Sequence, residues 1–305
     1  MLETLLKQAG ELPSLPEIYI RVTELLESET STATKIGETL QTDPALTARV
    51  LKLINSAYYG LRSEVTSIPQ SVALLGREQL QQALLGSVLS GVVKEFDISD
   101  FPLRDFWQHS IKTAIIGRQL GMQNARVIDH EVFFTAGLLH DIGWLVLAKV
   151  NPGSYSHIIG LAKTQAREVT EVETEKLGVT HIEVGVALLH QWGLPGIIVQ
   201  CVKRHHEVEH GGPFAIETSI VALANRLSHV SLSENDYEQS DEEEISFILE
   251  SVPGWESSQC TAEQIGIACR LADQQWLEVM ISLGMDDLDI DDSDDAEYSF
   301  NTSLR

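Results

Sequence analysis

The sequence predicts an all-α protein with two helical lobes, and three observations carry that prediction. Apolar residues recur at spacings of three and four through most of the chain, alternating stretches of β-branched residues are few, and helix-start signals recur at short intervals. Leu15-Pro16-Glu17 opens a first helix that runs to about Leu26, and Ser31-Thr32 precedes a second that runs to Leu40. Asp43-Pro44 combines an N-cap with proline at the first helical position, where its missing N–H costs nothing. The third helix that follows carries Leu46, Val50, Leu53 and Ile54 on one face and ends near Tyr58-Tyr59-Gly60. Ser67-Ile68-Pro69 starts a fourth, broken at Leu75-Gly76, and residues 77–96 supply a fifth.

The turn formers between Asp97 and Pro102 mark a boundary between the lobes. Beyond it, Asp100-Phe101-Pro102 starts a helix that reaches about Met122, residues 129–150 form one strongly apolar helix, and residues 155–177 form one amphipathic helix. Thr180-His181-Ile182-Glu183 has the form of a capping box. Helices over about 195–206 and 214–229 close this lobe, and residues 261–283 give a terminal helix with Ile265, Ala268, Leu271, Ala272, Trp276, Leu277 and Met280 inward. The chain shows no internal repeat and no glycine-rich phosphate-binding motif after a strand.

The 305 residues include 21 Lys and Arg against 45 Asp and Glu, a net charge of -24. That balance argues against direct nucleic-acid binding or an anionic membrane surface as partner, because both need clustered positive charge. At 43% hydrophobic residues the chain is globular. Cys201, Cys260 and Cys269 form no CxxC pair, so neither a disulfide framework nor a thiolate zinc site is indicated. With no leader-like N-terminus and no run of 18 apolar residues, a soluble cytoplasmic protein is expected.

Much of the acid is local. Residues 234–250 and 286–297 hold 16 acidic residues and no Lys or Arg, and without them the net charge is -8. The second run reads as a solvated disordered tail. A calcium loop starting at Asp287 fails, because Asp292 and Tyr298 stand where the loop needs Gly and Glu.

The histidines carry the chemistry. His140 and Asp141 lie in Leu138-Leu139-His140-Asp141-Ile142-Gly143, where an ionisable pair among apolar residues is costly to bury without a partner. Asp105 and His109, four apart, share a helical face, His181 sits in a first helical turn, and His205-His206 is a second adjacent pair. Imidazole and carboxylate donors on several helices suit one or two ions of iron, manganese, zinc or nickel. Such a centre could bind phosphate and lower the pKa of a bridging water for phosphoester hydrolysis. The remaining histidines, His130, His157, His190, His210 and His229, read as ordinary surface or core residues.

These residues resemble the HD superfamily of metal-dependent phosphohydrolases, and more closely its HDOD family of bacterial signalling output domains. The resemblance rests on Asp43-Pro44-Ala45-Leu46-Thr47-Ala48-Arg49-Val50-Leu51, Asn55-Ser56-Ala57-Tyr58-Tyr59-Gly60, Ile68-Pro69-Gln70-Ser71-Val72, Leu74-Leu75-Gly76 and Gly137-Leu138-Leu139-His140-Asp141-Ile142-Gly143. It continues through His181-Ile182-Glu183-Val184-Gly185, Trp192-Gly193-Leu194-Pro195 and His205-His206, covering residues 12 to 230.

The resemblance implies an N-terminal helical lobe over residues 1–96 and an HD-like lobe over 97–230, while an acidic connector with a C-terminal helix over 231–285 and an acidic tail over 286–305 lie beyond it and are read from spacing and charge. It also implies a regulatory output module with a signalling protein as partner and a nucleotide as possible ligand. Comparison with the related HD-GYP phosphodiesterases places His109, His140, Asp141, His181, His205 and His206 at ligand positions. By the same comparison Asp105 stands in for a Glu ligand, and Asn225 stands where the final Asp ligand belongs.

Three departures argue against turnover: the neutral amide of Asn225, Trp144 in place of a phosphate-facing Lys, and Glu207-Val208-Glu209-His210-Gly211-Gly212-Pro213 without the GYP sequence. Three readings follow: a regulatory module with a metal-binding but catalytically degenerate cleft, a metal-dependent phosphohydrolase of nucleotides or cyclic dinucleotides, and a buried polar network without metal.

Overall fold

The computed structural model describes residues 14–94, 101–127, 129–151, 153–207, 211–229 and 255–285, with positions 2, 98, 245–247 and 249–250 besides. The acidic run at 286–297 with its calcium-loop spacing, most of the run at 234–250, half of the Asp97–Pro102 boundary and His210 lie outside the described residues. Among the described residues there is no strand, and the fold is all-α.

The helices are α1 (Glu17–Glu27), α2 (Ala33–Leu40), α3 (Pro44–Ile54), α4 (Ile68–Leu75), α5 (Arg77–Lys94), α6 (Leu103–Gln123) and α7 (Val132–Leu139). They continue with α8 (Ile142–Val150), α9 (Ser154–Gln165), α10 (Val169–Leu177), α11 (His181–Gln191), α12 (Gly196–Arg204), α13 (Ala215–Leu227) and α14 (Ala262–Ser282). Several begin where a side chain takes up a free backbone N–H. Thr32 accepts from Lys35 N at 3.1 Å, Asp43 from Leu46 N at 2.9 Å and Ser67 from Gln70 N at 3.4 Å. The expected capping box at Thr180 is complete, with Glu183 accepting from the Thr180 N–H.

Two compact units result, one built on Pro13–Glu95 with Gln275–Leu288 and one on Phe96–Gln274. In the first, Leu46, Val50, Leu53 and Ile54 are buried as the periodicity predicts, although α3 stops at Ile54, short of Tyr58. It stops there because Asn55 turns to hold the following loop. Its side chain donates to Val65 O at 2.8 Å and accepts from Val65 N at 2.7 Å. Arg77, at the start of α5, donates to the carbonyls of Leu25, Leu26, Ser28 and Ser31, neutralising the C-terminal end of α1.

In the second unit, α6 packs on α7 and α13, α8 on α11, and α12 against α7, α11 and α13. Two helices expected as continuous are broken. Residues 129–150 form α7 and α8, separated at His140-Asp141, where Asp141 leaves the helical region at φ -104° and ψ 13°. Residues 155–177 form α9 and α10, separated by Ala166 in the left-handed conformation at φ 49°. Close backbone approach at Gly137 and Gly143 flanks the first break, and periodicity registers neither. The stretch 132–150 is long and apolar enough to span a membrane, yet 94% of it is buried inside the protein, where it forms the core of this unit.

Helix α14 is divided, its residues through Gln274 belonging to one unit and those from Gln275 to the other. In the first of these parts, Asp273 pairs with the buried Lys112 of α6 at 2.6 Å. In the second, Glu278 accepts from Ala57 N and the Ile281 carbonyl accepts from Lys52, each at 2.9 Å. Ile265, Ala268, Cys269, Ala272, Val279 and Met280 are buried. Leu277, expected inward, is 43% exposed, and Leu271 and Trp276 are only partly covered. The three cysteines are free and buried.

Candidate metal centre

The break between α7 and α8 solves a geometric problem. Adjacent residues in a continuous helix point about 100° apart. Here His140 and Asp141 occupy the turn itself, and both side chains reach the same point, with His140 Nε2 3.1 Å from Asp141 Oδ2. Close backbone approach positions that turn. Gly137 lies against α6, where a Cβ would fall 2.4 Å from Ala114 Cα, and Gly143 lies against the first turn of α11.

Asp141 stands between two groups of imidazoles. Its Oδ2 faces His109 Nε2 at 3.4 Å and His140 Nε2, which are themselves 2.9 Å apart. Its Oδ1 faces His205 Nε2 at 3.2 Å and His181 Nε2 at 3.4 Å, and His206 Nε2 lies 3.3 Å from His181 Nε2. Ligand atoms of His109, His140 and Asp141 lie within 4.8 Å of one another, as do those of Asp141, His181, His205 and His206. His140, His181 and His205 are fully buried.

Of the expected site residues, the structure thus gathers His109, His140, Asp141, His181, His205 and His206 around one carboxylate. Asp105 belongs to neither group. It is half-buried one turn before His109, its carboxyl pushed up by burial despite Arg104. Asn225 is buried and donates from Nδ2 to the His205 carbonyl at 3.3 Å.

The outward-facing nitrogens define what the inward ones can do. His140 Nδ1 donates to Gly137 O at 2.8 Å and His205 Nδ1 to Val202 O at 2.6 Å, since a carbonyl can only accept. The Ser228 hydroxyl spends its proton on Asn225 O, so His109 Nδ1 donates to Ser228 Oγ at 2.8 Å. His181 Nδ1 donates to Glu173, 2.8 Å from Oε2, and Glu173 also accepts from His181 N at 3.0 Å and from the Tyr155 hydroxyl.

With every one of these protons turned outward, Nε2 of His109, His140, His181 and His205 presents a lone pair to the carboxylate of Asp141. Asp141 Oδ1 is buried and accepts no N–H or O–H hydrogen bond among the described residues. With the rings neutral, lone pairs cannot satisfy one another at about 3 Å, so the cluster closes only around a cation or a further proton on a ring such as His181. The donor set fits one or two divalent cations held by imidazole nitrogen and carboxylate oxygen.

Electrostatics agree with that chemistry. Burial lowers the pKa of His109 despite Asp141, and it takes His205 down to about 4. Burial and the neighbouring imidazoles lower His206. For Asp141 the burial penalty is outweighed by charge on His140 and by ring protons that His140, His109 and His205 can share with it, which hold the carboxyl well below its ordinary range, a role that a bound cation would take over. Burial would lower His181 too, but Glu173 overcomes it and raises the group.

Sequence reasoning missed Glu173, Tyr155 and Ser228, which orient the ligands. It also passed over His229, whose ring stacks on His109 with centroids 4.6 Å apart. None of the four stands in a recognisable motif. Trp144, three residues after the His-Asp pair, sets its indole against His181 at 5.3 Å and 71°.

An all-helical scaffold with a histidine-rich centre around a helix-breaking His-Asp pair defines an HD-type protein. The chain belongs to the HDOD domain family, whose model matches residues 12–208. It is similar in structure to a candidate phosphohydrolase of Shewanella amazonensis SB2B, with TM-score 0.73 and 25% identity over 92% of this chain and 97% of that one. It is also similar to an HDOD domain protein of unknown function from Geobacter sulfurreducens, with TM-score 0.69 and 25% identity over 95% of this chain and all of the other. An uncharacterised protein of Treponema pallidum (strain Nichols) is 28% identical over 244 residues, 78% of this chain. The chain spans 46% of that relative's length.

Proposed function

We propose that this HDOD chain is a regulatory signalling module. Its centre holds a divalent transition metal through His109, His140, Asp141, His181, His205 and His206 and does not turn over substrate. A signalling protein is its partner, and a bound metal or nucleotide biases its conformation.

The observation that carries the reading is the role of Asn225. Its amide donates to the His205 carbonyl. An Asp there would bring a carboxylate against a carbonyl oxygen, so this position favours an amide that ties α13 to the end of α12 over an anionic ligand. Trp144 points the same way, since an indole packed on His181 fills the place of a phosphate-facing cation.

Elemental analysis of protein purified without chelator tests the metal, and a phosphoester panel tests turnover. One or more transition-metal ions per chain with no hydrolysis supports the proposal. Hydrolysis by the wild type would favour metal-dependent phosphohydrolysis. That reading draws support from the convergent donor set and from the Shewanella relative named as a candidate phosphohydrolase. Metal-free protein that takes up no ion on reconstitution would overturn both.

A further inference from the structure

The two halves of the centre are not built alike. On one side, Asp141 Oδ1 meets His181 and His205, and His206 stands beside His181, giving four ligand atoms from the chain within 4.8 Å of one another. Four such donors complete the set that a closed tetrahedral site requires. On the other side Oδ2 meets two histidines, giving three. Asn225, close to this side through the Ser228 contact with its backbone, has its amide committed to the His205 carbonyl.

The outer layer differs in the same sense. The acceptors behind His109 and His140 are neutral, a serine hydroxyl and a backbone carbonyl. Behind His181 stands a carboxylate. Glu173 is fully buried, and it grips both the ring and the backbone N–H of His181 while Tyr155 secures its Oε1. A carboxylate that accepts the Nδ1 proton fixes the ring's orientation and makes its Nε2 a stronger donor to a cation. Charge and ligand count therefore favour the same half.

Resting on the reading that the centre holds divalent metal, we infer that the His181, His205 and His206 half is a permanent metal site. The His109 and His140 half is exchangeable, and Glu173 is the positioning residue that sets the two apart. Tight metal at one half keeps the fold intact while occupancy of the other follows supply.

The test is a titration of the chelator-stripped full chain with Co²⁺, followed by calorimetry and visible absorption. Two events are expected, the first of one ion per chain and at least about tenfold tighter than the second. Glu173→Gln weakens the first event by about 10- to 100-fold and leaves the second nearly unchanged. Ser228→Ala, which removes the acceptor behind His109, weakens only the second.

Equal affinities in the wild type, or a Glu173→Gln effect shared by both events or absent from both, overturn the inference. If Glu173→Gln does not fold, the wild-type spectrum decides. Intense tetrahedral bands that saturate at one equivalent support the inference, and bands that grow in proportion through two equivalents overturn it. A wild type that takes up no ion refutes the metal reading itself, an outcome distinct from two equal sites.

Discussion

A Cβ on Gly143 would stand 2.0 Å from the carbonyl oxygen of His181 and 2.8 Å from Gly185 N, so α8 rests directly on the first turn of α11. That contact sets the distance between Asp141, one residue before α8, and His181, the first residue of α11. The obstacle is backbone, which cannot rotate away. Gly143→Ala is expected to cost about 3 kcal/mol or more, the upper range for overpacking, and to lower metal content. Gly185→Ala serves as the control, because its nearest neighbours stand at 3.5 Å, and it should change stability by less than about 1 kcal/mol. Urea denaturation of the two variants checks the contrast.

Removing metal should lower stability in proportion to occupancy. A ligand at 100 times its Kd stabilises the folded state by about 2.7 kcal/mol. Dialysis against chelator is therefore expected to lower Tm by several degrees, and re-addition of one ion per chain to recover most of the loss. Scanning calorimetry at fixed protein concentration measures both steps.

The metal-free protein should be sensitive to mild acid. His109, His205, His206 and His229 titrate below their ordinary value of 6.5 when folded, chiefly through burial, with His205 at about 4. Between pH 6.5 and 4 the unfolded chain binds more protons, so their contribution is complete above 6.5 and falls away as pH drops through that window. His205 alone accounts for on the order of 3 kcal/mol. His181 is raised and works in the opposite sense, its contribution present below 6.5 and lost as pH rises past its folded value. A fall in midpoint from pH 7 to pH 5 in chelator-treated protein is the expected result; an unchanged midpoint refutes the assignment.

The Asn55 contact with Val65 should matter to stability and not to metal. Both backbone polar groups of Val65 depend on this one amide, and Val65 is buried. Asn55→Ala is expected to cost about 1 to 3 kcal/mol, with metal stoichiometry unchanged. Denaturation and elemental analysis of the same preparation distinguish this from damage to the centre.

The caps at Thr32, Asp43, Ser67 and Thr180 were legible because a cap is a local event, decided within four residues. The inward faces of α3 and most of α14 followed from spacing for the same reason. The break at His140-Asp141 was not legible, since nothing in Leu138-Leu139-His140-Asp141-Ile142 disfavours helix, and Gly137 and Gly143 act only once another helix lies against them. Glu173 was hidden more deeply. Among Thr170, Glu171, Thr174, Glu175 and Lys176 it reads as one more solvated charge. Only the turn at Ala166 brings it back to Tyr155 and under His181. The ligands could be named from residue type and adjacency, whereas their supports depend on topology.

The burial of all three cysteines gives the native protein a chemical silence. Alkylating reagents attack thiolate, and burial pushes the Cys201 thiol far up and the Cys269 thiol to about 12, while Cys260 is also raised. A folded molecule should therefore ignore a reagent that modifies an opened one within minutes. Cys201 sits in α12, beside the histidine centre, and Cys269 in the C-terminal helix. Labelling resolved by peptide becomes a clock for each region, reporting how often that part of the molecule opens.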